Sequence, residues 1–261
     1  MSNPLIPPEI LDHIVDNLHD ESDALQDCCL AAKSWIPRTR KHLFADIKFS
    51  SPECLESWKK TFPDPSNSPA YHTYILSVEC PQAVTMADAE EGGWVRAFSR
   101  VVQLEVDSSL DSLGDSEVSL APFHALSPVL RSLRLFSITL PLSRIFGLVR
   151  SLPLLEDLSL IVYGIPNNDD LDTGGPPIGI SPPNSPVFTG TLRLVLSDGM
   201  GPTVRRLLDL PNGLHFRQLT LAWLREDELE WINALVAECS DTLESINASR
   251  SWGGAIVRLL C

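Results

Sequence analysis

From residue 44 onward one short pattern keeps returning: an apolar residue, two of any kind, a second apolar residue, one of any kind, and a third apolar residue. Phe44-x-x-Ile47-x-Phe49 begins the series, and its clearest copies are Leu130-x-x-Leu133-x-Leu135, Leu155-x-x-Leu158-x-Leu160 and Phe216-x-x-Leu219-x-Leu221. Alternation over the last three positions is the period of a β-strand, whose successive side chains point to opposite faces. With the middle residue as anchor the series runs Ile47, Leu76, Leu104, Leu133, Leu158, Leu194, Leu219 and Ile246, in steps of 29, 28, 29, 25, 36, 25 and 27 residues. Steps of this size mark a repeat architecture. The segments between anchors read as helices, notably Pro52 to Phe62, Leu142 to Leu152, Pro202 to Leu210 and Glu226 to Leu243, so each repeat is predicted as strand, then helix. Parallel strands joined in this way stack so that each repeat covers only its neighbours' apolar faces.

Before the repeats the period changes from two to 3.6. Ile10, Leu11, Ile14, Val15 and Leu18 form a broad stripe on one face of a helix predicted from about Pro8 to Leu18. Pro7 and Pro8 preset its start, and Glu9 puts a negative charge where the first-turn N–H groups favour one. Ser22 is placed as N-cap of a second helix carrying Leu25, Cys28, Cys29 and Ala32 on one side, which Trp35 and Ile36 end. Pro37 fits the first position of a third helix, with Leu43 and Phe44 on its apolar side. Residues 1–44 are thus predicted as a three-helix unit, and 45–261 as the repeat domain. So few residues bury little apolar surface by themselves, so the helical unit is expected to lean on the rest of the chain or on a partner.

Composition narrows the function. The chain has 261 residues, 44% of them apolar, and a formal net charge of −14. That apolar content suffices for a packed core, while the charge disfavours nucleic acid and anionic membranes, which need clustered Lys and Arg. The one basic cluster, Arg38, Arg40, Lys41 and His42, reads as a solvated helix face rather than a DNA-reading helix. No apolar run is long enough to span a bilayer and no signal-like start is present, so a cytoplasmic or nuclear protein is expected. On that expectation Asn247-Ala248-Ser249 is a chance glycosylation match.

Chemistry-bearing residues do not converge in sequence. The six cysteines form no C-x-x-C pair, and His13, His19, His42, His72, His124 and His215 show no metal-ligand spacing. Acidic runs such as Asp88, Glu90, Glu91 and Glu226, Asp227, Glu228, Glu230 read as solvated faces or helix N-termini. No nucleophile, acid–base or phosphate-binding motif occurs, so neither an enzyme nor a cofactor or metal site is expected. Residues 164–190, inside the one long step, are rich in Pro and Gly and are expected to form a flexible loop. Asp169, Asp170 and Asp172 within it lack the spacing of a calcium loop. Ile256 to Cys261 reads as an apolar half-helix, with Trp252 and these residues folding back on the preceding repeat.

Two blocks of the helical unit carry a family resemblance. Ile6-Pro7-Pro8-Glu9-Ile10-Leu11 and Cys28-Cys29-Leu30-Ala31-Ala32-Lys33-Ser34-Trp35, at their spacing here, resemble the opening and second blocks of fungal F-box proteins of basidiomycete type. The series behind them resembles irregular leucine-rich repeats. The resemblance implies an α/β solenoid: an F-box-like helical unit, then an arc with a short parallel sheet on one side and helices on the other. It also implies a partner, the Skp-family adaptor that joins F-box proteins to a cullin. Ile6, Pro7, Pro8, Glu9, Ile10, Leu11, Ile14, Leu18, Leu30 and Trp35 would divide between the unit's core and that interface.

The chain departs from the family at two places. Ala31 stands where a larger aliphatic is usual, a loss of roughly 1 kcal/mol of burial. Ile138, Tyr163, Gly199 and Leu224 replace the repeat's Asn or Cys, which favours an irregular arc. The expected function is substrate recognition for a Skp-cullin-F-box type ubiquitin ligase; the alternative is a repeat scaffold unconnected to ubiquitination. Strand alternation nominates Glu79, Glu105, Asp107, Arg134, Phe136, Ser159 and Ile161 as the exposed, target-facing side chains, acidic towards the N-terminal end. A basic target segment near the early repeats is expected from that gradient.

Overall fold

Alternating apolar positions give each strand one buried face, and a parallel neighbour satisfies its backbone. The computed structural model describes residues 7–108, 119–137, 140–162, 186–197, 200–250 and 257–260. Among them nine strands form one sheet: β1 (Asp46–Phe49), β2 (Ile75–Val78), β3 (Gln103–Asp107), β4 (Ser132–Phe136), β5 (Asp157–Val162), β6 (Thr191–Leu196), β7 (Gln218–Leu224), β8 (Ser245–Arg250) and β9 (Val257–Leu260). Order in the sheet is order in the chain. β1 to β8 are parallel and β9 runs antiparallel to β8. The architecture is α/β, an open and mainly parallel sheet with helices among its connections.

Seven of the eight predicted anchors stand in one register line, and the sixth position of that line is Leu192 rather than Leu194. The steps on either side become 34 and 27 residues. A shift of two keeps a side chain on the same face, which is why Leu194 passed as an anchor. It lies in the next buried row, beside Leu160 and Leu221. No member of the anchor line is more than 7% exposed.

Four connections carry a predicted helix: α4 (Pro52–Thr61), α6 (Leu142–Arg150), α7 (Met200–Leu208) and α8 (Leu229–Glu238). Those after β2 and β3 do not. After β2 come short 3-10 turns and the single-turn α5 (Trp94–Ala97); after β3 the described part of the connection contains a 3-10 segment, Ala121–Leu126. Pro81 begins one such turn and Pro122 lies in the first turn of the Ala121–Leu126 segment, and Gly92, at φ 81°, bends the chain before α5. Phe98, Phe123, Phe146, Phe188 and Phe216 fill the space between sheet and connections, each fully buried. Phe49, Trp94 and Phe98 meet edge to face near the first strands, with centroids 5.6 to 6.2 Å apart. Gly201 lets α7 approach α8, because a Cβ there would stand 2.8 Å from the Trp231 indole nitrogen.

The three predicted N-terminal helices form: α1 (Pro8–Asn17), α2 (Ser22–Ala31) and α3 (Ile36–Leu43). Ser22 is the first helical residue of α2 rather than its cap, and Glu21 precedes it without a side-chain cap bond. A 3-10 turn, Lys33–Trp35, runs directly into α3, so Pro37 lies one position further in than expected. Phe44 packs on the sheet core, and the Tyr74 and Ile75 N–H groups donate to the Ala45 carbonyl at 2.8 and 3.1 Å.

The C-terminal half-helix is corrected: Val257–Leu260 is strand β9. A short segment gains little as a helix of its own, whereas the edge of β8 offers unpaired backbone groups that this one can pair with. Trp252, Ile256 and Cys261 lie outside the described residues. So do Asp169, Asp170, Asp172 and the loop expected at 164–190 as far as residue 185. Among the described residues no helix is long and apolar enough to cross a membrane.

Candidate docking surfaces

The helical unit is small enough that its apolar residues can be sorted one by one. Val15, Leu25 and Cys28 are at most 9% exposed and form its interior with Thr39, which is fully buried. The Thr39 hydroxyl donates to the Trp35 carbonyl at 2.9 Å and meets the Cys29 thiol at 2.7 Å, so α3 closes on α2 through a satisfied polar contact. Asp16 on α1 receives the Arg38 guanidinium through both carboxylate oxygens and His42 Nε2 at 2.8 Å. Arg38 first, then His42, hold the Asp16 carboxyl well below the usual carboxylate range. Half of the predicted basic cluster is therefore turned back onto α1.

The predicted adaptor-facing residues separate accordingly. Leu11, Leu18 and Trp35 are half-buried, and Pro7 and Glu9 are exposed. Ile10, Ile14 and Leu30 stand 52, 44 and 86% exposed. Ile10 and Ile14 are one turn apart on α1, so the stripe read from sequence is covered on its Val15 side and open on its Ile10 side. Ile6 lies outside the described residues.

The second surface is the sheet face turned away from the core. Glu105 gathers several partners on it. It accepts from the Ser77 hydroxyl at 3.1 Å, the Gln103 amide at 2.8 Å and the Arg134 guanidinium at 2.9 Å, drawing three strands onto one carboxylate. Lys48 pairs with Glu79 at 2.6 Å. Phe136 and Ile161 face each other across β4 and β5, both half-buried. Ser159 departs from expectation. It is 9% exposed, because its short side chain lies between Arg134 and Arg193 on the neighbouring strands.

Lys48, Val195 and Ala222 share this face and were missed by sequence reasoning. Both Lys48 and Val195 could have been found, since they alternate with the buried pairs Ile47 and Phe49, and Leu194 and Leu196. The Asp16 contact carried no signal, as nothing in the series links it to residues 22 and 26 positions later. Among the described residues no group of three or more His, Cys, Asp or Glu is placed to hold a metal ion. No protein-family model matches the chain, and neither a curated protein nor a solved structure is similar to it.

Proposed function

We propose that the chain is a substrate-recognition subunit of a Skp-cullin-F-box type ubiquitin ligase. The F-box-like helical unit docks on a Skp-family adaptor, and through it on a cullin, in the cytoplasm or nucleus. The sheet domain, read as an irregular leucine-rich-repeat solenoid, holds a target protein. Its mechanism is proximity, since a held target meets the ubiquitin-transferring enzyme at high effective concentration without chemistry by this chain. The reading calls for no cofactor, nucleic acid or membrane.

One observation carries it: Ile10, Ile14 and Leu30, three residues inside or beside the blocks that resemble an F-box, are the exposed large apolar side chains among the unit's described residues. Fully burying such a side chain is worth about 1.5–3 kcal/mol, and residues already half out of water lose nothing internal when a partner covers them. Strands that pair in chain order, with apolar anchors in register, support the repeat reading of the rest.

Co-purification with the adaptor tests the proposal. Ile10→Asp, Ile14→Asp and Leu30→Asp are expected to abolish capture while leaving unfolding free energy within about 0.5 kcal/mol of the parent. A deletion control must stop at Leu43, because Phe44 packs on the core and Phe49 is 3% exposed within it. Failure of the folded parent to capture the adaptor rejects the reading in favour of a scaffold unconnected to ubiquitination.

A further inference from the structure

Across β3 to β7 one register row of the outward face reads Asp107, Phe136, Ile161, Val195 and Ala222. The row beside it, Lys48, Ser77, Glu105, Arg134, Ser159, Arg193 and Thr220, is polar throughout. The face therefore has two ends of different chemistry. Over β1 to β3, the carboxylates of Asp46, Glu79, Glu105 and Asp107 stand against Lys48, with Arg134 reaching in from β4. Over β4 to β6, Phe136, Ile161 and Val195 offer a partly exposed apolar strip.

The acidic end keeps its sign with both cations in place. Burial, and then the neighbouring Glu105, raise the Asp46 carboxyl above its usual range. Glu79 first, with Asp107 and Glu105 adding to it, holds the Lys48 ammonium up. Ser77, Gln103 and Arg134 fix Glu105, so little ordering remains to be done on binding. A second copy of this face would bring carboxylates against carboxylates in a chain of net charge −14. A cationic partner is complementary.

We infer that this face binds an extended peptide segment of a target protein carrying Lys or Arg three or four residues from a large aliphatic or aromatic residue. The basic end lies over β1 to β3 and the apolar end on Phe136, Ile161 and Val195. The spacing follows from the sheet. Strands stand about 4.8 Å apart, so Asp107 and the Ile161–Val195 pair are separated by about 10–14 Å, which an extended chain rising about 3.3 Å per residue covers in three or four residues. This deepens the proposed function and rests on its claim that the sheet domain holds the target.

The test is a displayed library of random dodecapeptides selected on the full chain, with Ile161→Glu and Asp107→Asn as variants. Enrichment of Lys or Arg three or four positions from an aliphatic or aromatic residue is expected. Enriched peptides should bind more weakly as salt rises, and Ile161→Glu should cost ~10-fold in affinity. Enrichment of acidic or purely apolar peptides, no enrichment, or indifference to Ile161→Glu overturns the inference. Adaptor capture by the same preparation keeps the two ideas apart: capture without peptide enrichment removes this inference alone, and enrichment without capture removes the ligase reading alone.

Discussion

The helical unit and the sheet domain spend their apolar residues differently. In the sheet the anchor line from Ile47 to Ile246 and the row beside it are covered by the connections, and one continuous core results. In the helical unit Val15, Leu25 and Cys28 are covered, Ile10, Ile14 and Leu30 are not, and α3 is held to α1 by Asp16. The contrast shows what an apolar pattern does and does not say. Periodicity reports which face of an element is apolar, but whether the chain itself covers that face depends on how many elements are available to lie on it.

The largest effect should separate the two regions directly. Leu133→Ala, at a position with no exposure, is expected to cost about 2–5 kcal/mol in chemical denaturation, against about 0.5 kcal/mol or less for Leu30→Ala. Equal losses would break the comparison. Gly201→Ala should cost about 1–3 kcal/mol, since the new methyl group meets the Trp231 indole at 2.8 Å, and Trp231→Leu in the same chain should recover part of it in a double-mutant cycle. Additive losses would show that α7 and α8 do not touch there.

A smaller effect of opposite sign is expected after β4, where Ser137 sits at φ 52°; Ser137→Gly should raise stability by about 0.5–1 kcal/mol in the same measurement. The smallest global effect belongs to the helical unit. The Asp16 carboxyl lies below its unfolded value, so its contribution is present above about pH 4 and is lost as pH falls further. Backbone amide signals of α1 and α3 should shift in that acid range while those of β3 to β6 stay, and Asp16→Asn should remove the difference. Sheet signals moving together with the helices would show that the two regions are one cooperative unit.

Much of this division was legible. The anchors identified eight strands because a parallel strand buried on one face must alternate, and three helices followed from the change of period. Leu192 was missed because a period of two cannot distinguish a position from its neighbour two residues away. The connections after β2 and β3 were not legible as 3-10 turns, since Pro81 and Pro122 are also acceptable at the first turn of an α-helix. β9 was missed because four residues, Val257-Arg258-Leu259-Leu260, are too few to show a period. The exposed half of the α1 stripe was visible only as a stripe; which side of it neighbouring elements cover depends on tertiary packing, which periodicity does not encode.

That each strand pairs with the one made just before it has a consequence for how the chain comes into being. A polypeptide leaving the ribosome presents β1, then β2, then β3, and every new strand finds its partner already there, one connection away. Loop closure is paid in short, repeated instalments, and no early strand waits with an open edge for a late one. Synthesis can therefore hand the molecule over finished from its N-terminal end, with the most recent strand always the growing edge of the sheet.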